Sequence, residues 1–205
     1  ANILGIGGGL NDVEARAPKI IEVRGLRIAV LGYVAGRFTP ATYEAQAGKV
    51  GVAFARVTDI TADVVVAREM ADIVVVSLHA GTEYQPKSDA VQKRLAHAAI
   101  DAGATLVLGH HPHVVEEVER YKDGLIIYSL GNFVFDQMWS ADTRRGLMAE
   151  ITLDRDGWSQ ARFLPIEIFD YAQPRLASPA AVTAVKSRLG VSLADDADGW
   201  WILAP

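Results

Sequence analysis

The sequence contains no cysteine. Disulfide frameworks, thiolate zinc sites and cysteine nucleophiles are excluded together, and any transition-metal site must be built from His, Asp, Glu or Asn. Positive charge is in deficit: 20 Lys and Arg stand against 25 Asp and Glu, a net charge of −5. Phosphate-backbone recognition needs a basic surface, so nucleic acid is not an expected partner. No apolar run approaches the roughly 18 residues that would suggest a membrane span. The longest candidates, 28–34 and 73–78, have the length of buried strands, and no span is expected in this chain. Internal repeats and low-complexity tracts are missing as well. What is present is ordinary globular composition, 50% hydrophobic and 22% charged over 205 residues, enough for one sizeable α/β domain.

Residues 1–11 are glycine-rich and read as a loop. Gly5, Gly7 and Gly9 hint at a dinucleotide-binding fingerprint, but its third glycine would fall at Leu10 and no strand precedes it. Residues 20–24 and 26–34 read as strands around Gly25, the second almost continuously apolar and so buried on both faces. Thr58 or Asp59 is placed to cap a helix running to Met70, and 72–78 is a β-branched strand. Asp89 with Gln92 starts a second helix, whose apolar face is Val91, Leu95, Ala98 and Ala102 and whose end is Gly103. A further buried strand covers 105–108. The spacing then predicts hairpins over 114–129 and 146–169, turning at Asp123-Gly124 and Asp156-Gly157. A short helix near 180–189 follows, and Trp200-Trp201 is expected to pack on the core. Strand–helix–strand units followed by hairpins, with no linker, define an α/β chain and a single domain over 1–205.

Four of the five histidines follow two of these strands directly: His79 after 74–78, and His110, His111 and His113 after 105–108. The intervening helix makes those strands parallel, so their C-terminal ends reach the same edge of the sheet, where ligands of open α/β sheets bind. In His111-Pro112-His113 an extended backbone would aim both imidazoles the same way. His79, His111 and His113 are therefore the candidate metal ligands. His110 would face away from that pair and is the candidate catalytic side chain, placed to bind substrate or steady a developing anion. His97 lies inside the helix without a partner and reads as structural.

The runs Ser77-Leu78-His79-Ala80-Gly81-Thr82-Glu83-Tyr84, Asp101-Ala102-Gly103-Ala104, Gly109-His110-His111-Pro112-His113 and Tyr128-Ser129-Leu130-Gly131-Asn132-Phe133-Val134-Phe135-Asp136 resemble the CapA poly-γ-glutamate capsule-synthesis family in order and spacing. That family is similar in turn to the calcineurin-like metallophosphatases. The resemblance implies a sandwich of two mixed sheets flanked by helices (α/β/β/α). It also implies divalent metal ions (Mn, Zn or Fe), two in a complete protein, with His79, His111 and His113 as ligands. Glu83, Asn132 and Asp136 lie in matching segments as substrate-facing or supporting positions, and Asn132 reads first as the turn residue after Gly131.

The metallophosphatase pattern opens with an Asp-x-His motif, an acidic motif and an Asn-His element, none of which occurs here; Asn2 and Asp12 are not preceded by the required strands. The chain accordingly reads as the C-terminal portion of a longer protein. Three neutral imidazoles bring no negative charge to offset two cations, so one metal at most and little phosphoesterase activity are expected of this chain alone. The implied function is a metal-dependent phosphoesterase-type site in capsule, poly-γ-glutamate or cell-envelope polymer metabolism. The alternative is a non-catalytic scaffold or polymer-binding subunit. Capsule-synthesis machinery or a polymer substrate would be the partner, at the cell surface or membrane periphery.

Overall fold

Apolar runs that alternate between two cores set the architecture. The computed structural model describes residues 3–37 and 39–205, and Asn2 lies outside them. In chain order the elements are β1 (Gly8–Gly9), α1 (Asp12–Arg16), β2 (Lys19–Val23), β3 (Leu26–Val34), β4 (Gly51–Val52), α2 (Val57–Met70), β5 (Ile73–His79), α3 (Ala90–Asp101) and β6 (Leu106–His110). There follow β7 (Val118–Tyr121), β8 (Gly124–Ile127), β9 (Arg145–Asp154), β10 (Gly157–Phe169), β11 (Gln173–Leu176), α4 (Pro179–Lys186), β12 (Ala194–Asp195) and β13 (Trp201–Leu203).

The first large sheet has six strands in the order β2-β3-β5-β6-β8-β7. Strands β3, β5, β6 and β8 are parallel, and β2 and β7 close the edges antiparallel. The second sheet is antiparallel, with β9, β11 and β13 all paired to β10 and β12 to β13. Because side chains alternate across a strand, Ala29, Leu31, Val74, Val76, Val107 and Ile126 join a core with Ile60 and Val64 of α2 and Leu95 and Ala99 of α3. Their neighbours Ile28, Val30, Ile73, Val75, Leu106, Leu125 and Ile127 join a second core with Trp158, Phe163, Trp201 and Leu203 of the other sheet and Val185 of α4. The central sheet is thus covered on both faces, by helices on one and by the second sheet on the other, as parallel strands require. The fold is mixed α/β, with two large sheets, a small antiparallel β1–β4 pair and flanking helices. Among the described residues no helix is long and apolar enough to cross a membrane.

Helix α3 begins as the sequence predicts. Asp89 accepts from the backbone N–H groups of Val91 and Gln92, and the Gln92 side chain accepts from the Asp89 N–H; Gly103 closes it with φ 109°. Helix α2 differs. Its N-cap is Arg56, with no side-chain cap, and Thr58 and Asp59 lie inside the first turn. Ion pairing diverts Asp59, which meets Arg16 at 3.4 Å and Arg56 at 3.4 Å. Both predicted hairpins form, though each turn lies one residue before its Asp-Gly pair, at Lys122-Asp123 and Arg155-Asp156, with Gly124 and Gly157 paired in the strands. Trp201 is buried at 3% exposure.

Glu116 is fully buried, and among the described residues its carboxylate's only hydrogen bond, 2.7 Å, comes from the Gln92 side-chain amide. Burial pushes its carboxyl up to about 8, aided by nearby Glu117 and Asp89 and opposed by the Gln92 bond. Between the ordinary value of 4.5 and about 8, the folded chain holds a proton that the unfolded chain has released. Glu116 therefore costs stability as pH rises through that window. Glu116→Gln should flatten this loss, leaving stability near pH 4.5 unchanged and raising it at pH 8 by roughly 3–5 kcal/mol. Urea unfolding at both pH values measures it, and parallel pH profiles for the two proteins would contradict the assignment.

Candidate metal centre

Strands β5 and β6 run parallel in a register that ends at His79 opposite His110, so topology carries both histidine segments to one rim. Hydrogen bonds then fasten the loops beyond the strand ends. The His79 carbonyl accepts from Ala35 N–H at 2.8 Å, the His110 carbonyl from Ala80 N–H at 3.0 Å and the Pro112 carbonyl from Tyr84 N–H at 2.8 Å. The last of these folds the 80–84 loop over the His-Pro-His segment.

That segment is not extended, contrary to the sequence expectation. His111 and His113 have φ of 107° and 62°, a region that non-glycine residues seldom occupy. Period-two alternation therefore cannot be what aims the two rings. They converge through two left-handed residues around Pro112, with centroids 6.1 Å apart. Backbone strain of this kind is characteristic of functional sites.

The donor set also differs from the expected trio. Among the described residues, Glu83, His111 and His113 each offer a ligand atom within 4.8 Å of the others. His79 stands beside this group, its Nε2 3.0 Å from His111 Nδ1, rather than inside it. The folded 80–84 loop is what brings Glu83 in, supplying the negative charge that a purely imidazole site lacks. His110 ends β6 exposed at the rim and outside the donor group. Asp136 is exposed on the 131–139 loop and likewise takes no part in it.

Asn132 has a larger role than a turn residue. It is buried at 7% exposure, and its Nδ2 donates to the Thr143 carbonyl at 2.9 Å and to Gln137 Oε1 at 3.2 Å. Those bonds orient the carboxamide so that Oδ1 faces His113 Nδ1, 2.9 Å away. An oxygen there can only accept, so His113 carries its proton on Nδ1 and presents the Nε2 lone pair outward. Sequence reading missed this because the partners Gln137 and Thr143 lie in a loop without periodic signal.

Burial favours the neutral form of three of these imidazoles. Desolvation first, then neighbouring His113, holds His79 below its ordinary 6.5. Desolvation and His79 lower His110. His111 is lowered by desolvation and His79, with Glu83 opposing.

The residues fit a divalent cation. Donors sharing one ion at about 2.1 Å lie roughly 3.4 Å apart in a tetrahedron, so the 4.8 Å group must close by about an ångström. Glu83, an exposed loop side chain, can supply that movement. Two imidazoles and a carboxylate also match the ligand preferences of zinc, manganese and iron. A cleft of about 350 Å³ at the opposite end of the parallel strands, lined by Arg68, Asp101, Lys122 and Arg155 among others, has mixed charge and no such donor group.

Fold and rim together define an α/β protein with a histidine–carboxylate cluster at the C-terminal edge of a mainly parallel sheet. The profile of the family described as bacterial capsule synthesis protein PGA_cap matches residues 1–137, and the chain belongs to that family. It is 37% identical over 183 residues to the PGA biosynthesis protein CapA of Bacillus subtilis, covering 88% of this chain and 45% of that protein. It is 35% identical over 198 residues to the capsule biosynthesis protein CapA of Bacillus anthracis, covering 93% of this chain and 46% of that protein. The chain thus spans about half the length of these curated relatives. Among solved structures, the sulfate thiohydrolase SoxB of Thermus thermophilus is similar with a TM-score of 0.49 at 17% identity, over 84% of this chain and 28% of that one.

Proposed function

We propose that this chain carries the metal-holding part of a phosphoester-hydrolase type site, acting in the metabolism of a capsular polymer such as poly-γ-glutamate. Family membership supports the polymer context, and a place beside the capsule-synthesis machinery at the cell surface or membrane periphery goes with it. The observation that carries the chemical reading is the Glu83–His111–His113 group within 4.8 Å, with His113 already oriented by Asn132. When bound there, a divalent cation supplies Lewis acidity that offsets charge on a phosphoryl oxygen and lowers the pKa of water. The protein's own groups prepare the site. Glu83, His111 and His113 hold the cation, with His79 at 3.0 Å from His111 as a further donor. Asn132 keeps the proton on His113 Nδ1 and the Nε2 lone pair directed at the ligand position. His110, neutral and exposed at the rim, can donate a hydrogen bond to a developing anionic oxygen.

The test is uptake of Mn or Zn followed by hydrolysis of an aryl phosphate diester, for this chain and for a chain of the relatives' full length. Both should bind metal, with turnover concentrated in the longer chain, because one carboxylate balances one cation poorly and a two-metal site not at all. Equal turnover would refute that dependence. Metal uptake with no turnover in either chain would favour the scaffold or polymer-binding reading, and no uptake would overturn the site.

A further inference from the structure

Three large rings beside the donor group are left in water. Tyr84, Phe135 and Trp139 are 38%, 40% and 63% exposed. Tyr84 and Phe135 flank His113, and Trp139 packs on Tyr84. The Tyr84 ring stacks with the imidazole, centroids 6.0 Å apart at 26°, and Phe135 approaches it at 5.2 Å and 39°. Trp139 meets Tyr84 edge-on at 4.7 Å and 81°. A hydrogen-bond chain holds this arrangement in register with the ligand side chain. His113 donates to Asn132, Asn132 donates to Gln137 at 3.2 Å, and Gln137 donates to the Tyr84 hydroxyl at 3.3 Å. The groups that orient the His113 imidazole therefore also hold the Tyr84 ring.

Exposed aromatic rings fixed against one another contribute little to a core, but they offer faces and edges already set for another ring, so that little conformational freedom is lost on contact. Contiguous exposed apolar surface of this kind marks binding sites. We propose that Tyr84, Phe135 and Trp139 form a stacking wall that gives the histidine rim a preference for anionic esters bearing a planar unsaturated ring. The proposal rests on the metal-site reading above. In that arrangement the donor group takes the anionic end of the ligand and the wall, whose Tyr84 and Phe135 rings lie 6.0 and 5.2 Å from the His113 ring, takes the ring attached to it. A saturated chain of the same charge would meet the donor group equally well and gain nothing from the wall.

Phenylphosphonate and methylphosphonate, matched in charge and resistant to hydrolysis, separate the two contributions. Calorimetric titration of the zinc-loaded protein should show phenylphosphonate binding about tenfold more tightly than methylphosphonate, the scale of one aromatic stacking contact. Trp139→Ala should remove most of that difference while leaving methylphosphonate affinity and zinc affinity unchanged; Tyr84→Ala should remove it too, with some loss of zinc affinity because its ring stacks on His113. Trp139 is largely exposed, so its variant should unfold at the wild-type midpoint, which a thermal scan checks. A wild-type protein that binds the two phosphonates equally, or neither, overturns the wall, as does a preference that survives in both variants. Zinc titration of the same samples reports separately on the metal site. Normal zinc uptake without ring selectivity removes the wall alone, whereas absent zinc uptake removes the reading beneath it.

Discussion

His113→Ala is expected to lower affinity for Zn or Mn by more than about 100-fold, while Asn132→Ala, which removes no donor atom, lowers it by about 10–100-fold. The difference follows from their places in the site. His113 supplies one of the donor atoms in the 4.8 Å group, and removing it leaves one imidazole and one carboxylate. Asn132 supplies only the acceptor that holds the ring's proton on Nδ1, so its loss frees tautomer and ring rotation without deleting a donor. Asn132→Asp keeps the acceptor and should recover part of the affinity, though it sacrifices the bond from Nδ2 to Thr143. Titration calorimetry near neutral pH measures the series, and His113→Ala at wild-type affinity would remove the site. Acid should act in the same direction. His79 and His111 sit below 6.5 in the fold, so they stay neutral at pH 7, and affinity falls as pH drops below 6.5 and protons compete for the lone pairs.

Gly109→Ala should destabilise the protein by about 3 kcal/mol or more, because the added methyl cannot be accommodated by rotating a side chain. A Cβ at Gly109 would collide with the backbone carbonyl of Tyr128, with the Ile127 carbonyl oxygen 2.9 Å away. Both residues belong to the strand β8 path, which pairs in parallel with β6 through Leu108 opposite Ile127. Relief requires β6 and β8 to part, and β6 is the strand that delivers His110 and the His-Pro-His segment. A fall in thermal midpoint of about 6–12 °C is expected for a chain of this size, together with weakened metal uptake. A midpoint within a degree or two of wild type would show that the strand pair yields easily and that glycine is not needed there.

Some of this was legible residue by residue. The apolar runs at 26–34 and 73–78, the Asp89–Gln92 capping box and the two hairpins are local signals, and each corresponds to an element of the fold, the hairpin turns one residue before the expected Asp-Gly pairs. The parallel placement of His79 and the 110–113 cluster at one rim was legible too, since a helix-linked strand pair leaves little topological choice. The start of α2 was not, because Asp59 is drawn into ion pairs with Arg16 and Arg56, one of them 43 positions away in sequence. Nor was the partner of Glu116, which lies 24 residues distant on α3.

By itself the sequence determined the absence of thiol chemistry, the strand–helix–strand order and the family, because these depend on residue identity and short-range pattern. Tertiary structure alone decided that Glu83 comes within 4.8 Å of His111 and His113, that Asn132 hydrogen-bonds the His113 ring, and that three aromatic rings lie nearby. The physical reason is that coordination depends on distances of a few ångströms and on the direction of lone pairs. Here those are set by left-handed residues around Pro112 and by hydrogen bonds between loops far apart in the chain, neither of which leaves a periodic trace in the sequence.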